Sequence, residues 1–333
     1  MNCLTTRTCS LSASTKPRTL LLTLDAFGTL FYPHPPVPEQ YATVAHQFGL
    51  SRSQVTPEKL EAAFKDVYQA HAKRWPNYGR ASVLLGKYGG PRQWWEEVIR
   101  ESFSRVLAPE SSPSLAQGLP NDEFELPSGM VDVLINRFAG EGGYALYDDV
   151  APFFARMREI KRSPSRHFDQ ILLGIISNSD DRVPAVLKAL GLEVGNMRAD
   201  QDLSSLELPG FETRGKSEDH TLNPQSLHDF DLDLVITSYE AGEGKPNPMI
   251  FDVAKRQAHL LANYHAPRHN STPVVGNETD DWICVHVGDE FEKDYRAALD
   301  AGWESYLIRR ENEQEYSAKT LSSLLGLIEE LHV

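Results

Sequence analysis

Four short apolar runs recur along the chain, and polar residues follow each of them. The runs are 19–24, 171–176, 232–237 and 282–287, and the residues after them are Asp25, Ser177-Asn178, a stretch that contains Lys245, and Gly288-Asp289. Helical patterns follow the last three runs at 182–190, 248–261 and 295–301. Buried strands that alternate with helices predict an α/β fold, in which one mostly parallel sheet is covered on both faces.

The four polar clusters are all predicted at one edge of this sheet. In parallel sheets, ligands bind at the carboxyl ends of the strands, where loops and helix N-termini converge. Asp, Ser and Asn are also common in turns and helix caps, so each cluster alone has a structural explanation. The coincidence of four clusters favours a functional site.

The strand-helix alternation stops between about Pro35 and Leu146, where helical patterns at 39–48, 57–75 and 93–107 replace it. We therefore expect an inserted helical domain at 35–145, a core formed by 19–34 and 146–333, and a flexible N-terminus at 1–18. The polar, aperiodic stretch 108–129 is predicted to be a surface loop. The composition of 195–227 and 265–280 favours disorder.

Charge and composition exclude several classes of protein. The formal net charge of -14 argues against a nucleic-acid partner, because binding to phosphate backbones depends on clustered Lys and Arg. No apolar run reaches the ~18 residues that span a bilayer, so no membrane partner is expected. The three cysteines are too few and scattered for a disulfide framework, which favours a reducing, intracellular compartment.

The expected location is the cytoplasm, and mitochondrial or nuclear locations stay open. The first 24 residues contain Arg7, Lys16 and Arg18, many Ser and Thr, and no acidic residue, which is also the composition of a mitochondrial transit peptide. A disordered N-terminus explains the same composition equally well. The expected assembly is a monomer or a homodimer.

Asp25 has the chemistry of a nucleophile. A carboxylate can attack an electrophilic phosphorus or carbon and form a covalent aspartyl intermediate. It approaches a phosphate dianion only where negative charge is neutralised, which Mg²⁺ bound by carboxylates achieves. Asp289 and Asp294 flank one predicted turn, so at least one of them can reach an ion shared with Asp25. The alternative to metal binding is a structural role, in which Asp289 and Asp294 belong to a capped helix start with a solvent-exposed acidic face.

Lys245 and Ser177 fit an anion clamp. The ammonium group would lie near the transferring group, while the hydroxyl and backbone amides bind its oxygens. Thr29 is expected to hydrogen-bond Asp25, and Asn178 to orient the nucleophile's loop or the substrate. Asp25, Lys245 and Ser177 are thus the expected catalytic residues, and Thr29, Ser177, Asn178 and Lys245 the expected substrate-binding residues.

The order of these clusters resembles the four signature motifs of the haloacid dehalogenase (HAD) superfamily. They are Leu-Asp-Ala-Phe-Gly-Thr-Leu at 24–30, Ile-Ile-Ser-Asn at 175–178, Gly-Lys-Pro-Asn-Pro at 244–248 and His-Val-Gly-Asp-Glu-Phe-Glu-Lys-Asp at 286–294. The resemblance covers 19–309 and implies a Rossmann-like core, an inserted helical cap and hydrolase activity. It also implies that the carbonyl of Phe27 binds the metal together with Asp25, Asp289 and Asp294.

The cap stretches 75–79 and 91–95 are similar to a branch of the superfamily represented by haloacid dehalogenase-like hydrolase domain-containing protein 3. The aromatic residues Trp94 and Trp95 fall in the second stretch. We interpret both as helical core of the cap.

Phe27 departs from the pattern of the superfamily's phosphatases. These carry a second Asp two residues after the nucleophile, which protonates the leaving alcohol and later activates water. General acid-base catalysis of this kind contributes ~10²–10⁴-fold. Haloacid dehalogenases commonly have an aromatic residue there, because a halide leaves without a proton. Asp289 and Asp294, however, resemble the paired acids of the magnesium-dependent branch, and dehalogenases need no metal.

The expected function is therefore magnesium-dependent hydrolysis of a phosphate ester, with a phosphorylated metabolite as the small-molecule substrate and Mg²⁺ as the cofactor. Two alternatives stay open. One is a catalytically weak binding or regulatory protein, which Phe27 favours. The other is a hydrolase of the 2-haloacid dehalogenase type.

Overall fold

The computed structural model describes residues 18–108, 125–162, 167–199, 208–211, 230–265, 281–310 and 316–331. Most of the stretches expected to be loops or a flexible N-terminus lie outside these residues. Within the described residues, no helix has the length and apolar character needed to cross a bilayer.

In the described part of the chain, a parallel sheet of seven strands forms the centre of the molecule. Its strands are β1 (Arg18–Leu24), β4 (Gln170–Ser177), β5 (Val194–Met197), β6 (Leu232–Thr237), β7 (Asp281–Gly288), β8 (Glu304–Ile308) and β9 (Thr320–Leu321). They lie side by side in the order β5-β6-β4-β1-β7-β8-β9. The predicted α/β class and parallel sheet are confirmed. β1 begins one residue before its expected start.

Helices cover both faces of the sheet. α6 (Val150–Arg162), α7 (Val183–Ala189) and α11 (Leu324–Glu330) share one apolar cluster, whereas α9 (Met249–His265) and α10 (Ala297–Asp300) belong to the other. Because side chains alternate along a strand, Leu20 and Leu22 enter the first cluster and Leu21 enters the second. Burial on both faces explains the run of three leucines, Leu20 to Leu22, in the middle of β1.

Between two short antiparallel strands, β2 (Phe31–Pro33) and β3 (Tyr144–Leu146), the described part of the chain forms five helices. They are α1 (Val37–Gln47), α2 (Pro57–Arg74), α3 (Pro76–Leu84), α4 (Pro91–Leu107) and α5 (Met130–Arg137). They pack around two apolar clusters of their own, one centred on Tyr41 and Phe103 and the other on Trp94 and Val98. We propose that they form the cap expected at 35–145.

Three local expectations are corrected. The described start of 195–227 belongs to β5, an edge strand of four residues that is too short to give a clear apolar pattern. The helix expected at 295–301 begins earlier, as a π-helix at Phe291–Arg296 that continues into α10. α3 was not predicted, because three left-handed residues, Asn77 to Gly79, interrupt it. α8 (Ser238–Ala241) is a further short helix after β6.

Candidate active site

Three predicted site residues lie on neighbouring strand ends. β1 pairs with β4 on one side and with β7 on the other. Asp25 therefore lies between Ser177, the last residue of β4, and Asp289, which follows β7. The backbone N–H of Asp25 donates to the carbonyl of Val287 at 2.8 Å and fixes the turn against β7. The expected placement of Asp25 beside Asp289 is confirmed.

Three carboxylates converge at this edge. One oxygen from each of Asp25, Asp289 and Asp294 lies within 4.8 Å of the other two. Asp294 comes from the π-helix after β7, and the backbone N–H of Glu290 donates to its Oδ2 at 2.9 Å. That hydrogen bond turns the carboxylate back toward the strand end. One cation could therefore contact all three side chains.

Lys245 lies between two of these carboxylates and is buried. Its Nζ donates to Asp25 Oδ1 at 2.8 Å, to Asp294 Oδ1 at 2.5 Å and to the carbonyl of Ile176 at 2.8 Å. A lysine facing solvent in a turn is thus excluded. The ammonium group fixes the Asp25 carboxylate and offsets part of the negative charge around it.

Asn178 has a different contact from the expected one. Its Nδ2 donates to the carbonyl of Lys245 at 2.7 Å, and its Oδ1 accepts the backbone N–H of Lys245 at 2.6 Å. Both side-chain polar atoms are thus used to fix the main chain that carries the lysine. We assign Asn178 to positioning Lys245 rather than to binding substrate.

Thr29 also differs from the expectation, because it hydrogen-bonds the neighbouring acid. Its hydroxyl donates to Asp289 Oδ1 at 3.0 Å rather than to Asp25. The reason is the turn at Gly28, which has a φ of 74° and brings the backbone against Asp289. A Cβ at Gly28 would lie 2.4 Å from Asp289 Oδ2.

Burial shifts the pKa values of the site. Burial raises the pKa of Asp25 to about 7, although Lys245 opposes this shift. Burial and the nearby Asp294 raise the pKa of Asp289 to about 6. Burial alone would lower the pKa of Lys245, but Asp25 and Asp294 together raise it above its ordinary value. Burying this much acid around one ammonium group is costly, and a bound cation would relieve that cost.

The donor set fits a magnesium ion. Mg²⁺ takes oxygen ligands, usually one or two carboxylates with waters and substrate oxygens. Glycines on both strand-end turns leave room for the acids, since a Cβ at Gly288 would lie 2.2 Å from Asp294 Cγ. The second oxygens of Asp25 and Asp289 make no hydrogen bond within the described part of the chain, whereas Asp294 uses both oxygens.

His286, on β7, contributes to the site but was not among the predicted site residues. It is fully buried, with Nε2 3.3 Å from Asp294 Oδ1 and Nδ1 2.9 Å from the hydroxyl of Thr23. The buried ring therefore contacts Asp294 from the interior of the core and helps to fix the position of its carboxylate. Its sequence signal is a histidine at an inward position of an otherwise apolar strand, eight residues before the acid that it contacts.

A cavity of about 450 Å³ lies between the sheet edge and the proposed cap helices. Asp25, Ser177 and Lys245 line its floor, and Ser177 makes no side-chain hydrogen bond to any described residue. The hydroxyl of Ser177 is thus free to contact a ligand. Phe27 also lines the cavity, with its ring centroid 4.6 Å from that of Phe31 and 5.6 Å from that of Tyr144.

The wall of this cavity includes a hydrogen-bonded group of Asp180, Arg182 and Trp95, none of which was a predicted site residue. Asp180 accepts two hydrogen bonds from the Arg182 guanidinium, at 2.9 and 2.8 Å, and one from Trp95 Nε1 at 2.8 Å. The guanidinium carbon lies 5.0 Å from the ring centroid of Trp95. Trp94 is core, as predicted, but Trp95 is a cavity residue that links α4 to the loop after β4.

Substitution of Gly28 by Ala is expected to lower stability and weaken the response to Mg²⁺. The change places a Cβ against Asp289 and forces a positive φ on Ala, which costs about 1–3 kcal/mol. Gly49→Ala is the matched control, because its φ is 87° and its Cβ would meet nothing within 4 Å. Urea unfolding with Mg²⁺ and with EDTA measures both effects. Equal losses in the two variants, with an unchanged response to Mg²⁺, would contradict the crowding at Asp289.

Sequence comparisons place the chain among known proteins. A HAD-hydrolase-like family matches residues 242–323, the segment that contains Lys245, Asp289 and Asp294. Over most of its length the chain is also similar to haloacid dehalogenase-like hydrolase domain-containing protein 3 of Homo sapiens, with 27% identity over 86% of this chain and 81% of the human protein.

Two fungal proteins are similar over comparable lengths. An uncharacterized protein of Saccharomyces cerevisiae is 29% identical over 92% of this chain and 76% of its own length. A protein of Schizosaccharomyces pombe that is named as an uncharacterized hydrolase is 26% identical over 85% of this chain and 87% of its own length. With the strand-end acids, the buried lysine and the parallel sheet in place, the chain is similar to haloacid dehalogenase-like hydrolases over most of its length, and its residues 242–323 match a HAD-hydrolase-like family.

Proposed function

We propose that this protein hydrolyses phosphate monoesters of small molecules in a magnesium-dependent reaction, with Asp25 as the nucleophile. The observation that carries the proposal is the convergence of Asp25, Lys245 and two further carboxylates on the floor of a cavity. A dehalogenase would have no use for three acids around one site, because they repel an anionic substrate unless a cation is bound.

Each residue has a role that follows from its contacts. Asp25 attacks phosphorus through a carboxylate oxygen, while Lys245 fixes its Oδ1. Asp25, Asp289 and the carbonyl of Phe27 would bind Mg²⁺, with Asp294 as the third carboxylate. Mg²⁺, when bound, supplies positive charge that offsets the charge of the phosphoryl group. Ser177 donates to a phosphoryl oxygen, and Thr29 acts through Asp289 rather than on the substrate.

Asp294 has a second role in this arrangement. Its Oδ1 accepts from Lys245 and its Oδ2 from the backbone of Glu290. The lysine is therefore fixed from both sides, by the nucleophile and by Asp294. Removal of Asp294 would release Lys245 as well as a carboxylate of the metal site.

The proposal is tested by phosphate release from 4-nitrophenyl phosphate, measured with Mg²⁺ and with EDTA. We expect activity that depends on Mg²⁺ and saturates with the ion, because the acids of the site need a cation before a phosphate dianion can approach. An aryl oxide leaves without much protonation, so turnover is expected although Phe27 replaces the usual acid. Equal activity in EDTA would contradict the metal site, and absence of activity under both conditions would favour a binding or regulatory protein.

Phe27 gives a separate prediction. Phe27→Asp would place a carboxyl group where the superfamily's phosphatases carry their acid, and general acid catalysis contributes ~10²–10⁴-fold. Only basic alkoxide leaving groups need the proton strongly. We therefore expect the hydrolysis of alkyl phosphates to rise more than that of aryl phosphates. Steady-state rates on both ester types measure the effect, and Phe27→Leu controls for lost ring contacts.

A rise of similar size in both ester types, or no rise in a variant shown to be folded, would mean that another group already serves as the acid.

The second candidate is hydrolysis of a 2-haloacid, which Phe27 favours because a halide leaves without a proton. Halide release from a 2-haloacid in EDTA tests it directly. Metal-independent halide release that is lost in Asp25→Asn would make this the reaction of the site.

A further inference from the structure

The cavity that begins at Asp25 continues beneath the proposed cap helices and has room for more than a phosphoryl group. Its volume of about 450 Å³ falls in the range of ~300–1,000 Å³ that is typical of small-molecule sites. Asp25, Ser177 and Lys245 lie at one end. The remaining space is therefore available to the part of the substrate that leaves.

Aromatic rings dominate the wall of that space. Tyr68 of α2, Tyr78 of α3 and Trp95 of α4 line it from the proposed cap, and Phe27 lines it beside the nucleophile. Aromatic rings bind other rings through edge-to-face and offset contacts. The rings on this wall already meet one another at steep angles, as the 73° between Phe27 and Tyr144 shows. A flat ring fits such a wall.

The charges on the wall are paired. Arg182 forms its two short hydrogen bonds with Asp180, and Lys293 lies 2.6 Å from an oxygen of Glu290. A leaving group with a charge of its own would have to compete with one of these pairs. Polar contacts are nevertheless offered, because the hydroxyls of Tyr68 and Tyr78 have no hydrogen-bond partner among the described residues.

Among the described residues of the wall, Phe27, Asp180 and Tyr78 are poor proton donors for a leaving group. Phe27 carries no proton to give. Burial raises the pKa of Asp180, but Arg182 and Trp95 together lower it by more than burial raises it. The carboxylate of Asp180 therefore stays charged. Burial raises the pKa of Tyr78 well above its ordinary value, which makes its hydroxyl a weak acid. A leaving group that departs as an anion suits this wall better than one that must be protonated.

We propose that the cavity accepts the ring of an aryl phosphate, the monophosphate ester of a phenol whose ring carries polar, uncharged substituents. This inference rests on the proposed phosphatase activity. Asp25 forms a bond to phosphorus, the bond from phosphorus to the aryl oxygen breaks, and the electron pair leaves with that oxygen as a phenolate. Water then attacks phosphorus and releases Asp25 as a carboxylate with dihydrogen phosphate, which passes one proton to the phenolate.

Binding of phosphonates to the magnesium-loaded protein tests the ring site without turnover. Phenylphosphonate is expected to bind at least about tenfold more tightly than methylphosphonate in calorimetric titrations, because ring contacts add to the phosphoryl contacts. Tyr68→Ala should reduce this ratio at least about threefold. Leu85→Ala is the matched control in the same group of helices, because Leu85 is 69% exposed and does not line the cavity. Equal affinity for the two phosphonates would overturn the proposal.

Hydrolysis of phenyl phosphate and cyclohexyl phosphate, esters of similar size, tests the leaving group. We expect the phenyl ester to react at least about 10²-fold faster, because no acid protonates the cyclohexyl alkoxide. Comparable rates on the two esters, both dependent on Mg²⁺ and Asp25, would overturn the aryl proposal and leave the phosphatase proposal standing. Absence of Asp25-dependent phosphate release from either ester would overturn both.

Discussion

Asp25→Asn is expected to reduce magnesium-dependent phosphate release by at least about 10⁴-fold, the size of effect that removal of a nucleophile has in well-studied hydrolases. The amide has nearly the shape of the carboxylate and can still accept a hydrogen bond from Lys245. It cannot form the aspartyl intermediate, because its nitrogen is engaged in amide resonance and its oxygen is a weak nucleophile. Phosphate release from 4-nitrophenyl phosphate at saturating Mg²⁺ measures the loss.

The control for this substitution is Asp300→Asn, which makes the same chemical change at an exposed position paired with Arg296. It should leave both activity and unfolding unchanged. Activity of Asp25→Asn within about tenfold of the unsubstituted protein, in a sample shown to be folded, would contradict the role of Asp25 as nucleophile.

Lys245→Met is expected to destabilise the fold by about 3–5 kcal/mol in EDTA, the usual cost of removing one partner from a buried ion pair. The loss leaves Asp25 and Asp294 without the ammonium group that contacts both of them at 2.8 and 2.5 Å. Methionine has a similar length, so the effect reports lost charge and hydrogen bonds rather than a cavity. Saturating Mg²⁺ should restore part of the stability, because it places positive charge among the same oxygens. Urea unfolding in EDTA and in Mg²⁺ gives both numbers.

Lys319→Met is the control for that experiment. Lys319 is exposed and lies 3.4 Å from Glu304, and an exposed pair of this kind contributes about 0–1 kcal/mol. A loss for Lys245→Met no larger than that for Lys319→Met would contradict the view that the buried lysine balances the acids of the site.

The predicted strands and strand-end residues could be read from the sequence because their signals are local. A strand that is buried on both faces, such as β1, carries a run of apolar residues, here Leu20 to Leu22, and its carboxyl end has a fixed position in a parallel sheet. Asp25, Ser177 and Asp289 therefore followed from pattern alone. The charge of Lys245 suggested an anion clamp, but its burial could not be predicted, because a lysine before a proline in a polar stretch has no local signature of burial.

The contacts that were missed depend on tertiary packing. Trp95 and Asp180 are separated by 85 residues, and their hydrogen bond forms only because α4 lies over the loop after β4. Thr29 lies four residues after Asp25, its expected partner, but it follows the left-handed Gly28 and donates to Asp289 instead. α3 was missed because Asn77 and Tyr78 are left-handed although neither is glycine, and Asn77 Nδ2 donates to the carbonyl of Ser238 at 2.8 Å there.

The covalent intermediate on Asp25 is the central claim, and rapid acid quench followed by mass spectrometry of the digested protein tests it most directly. Because Phe27 replaces the usual base, hydrolysis of the aspartyl phosphate should be slow. An aryl phosphate should therefore phosphorylate Asp25 faster than water hydrolyses the intermediate. We predict phosphate on the peptide that contains Asp25 during turnover of 4-nitrophenyl phosphate with Mg²⁺, and its absence in Asp25→Asn. Steady turnover with an unmodified Asp25 at every quench time, or phosphate on another residue, would contradict the account.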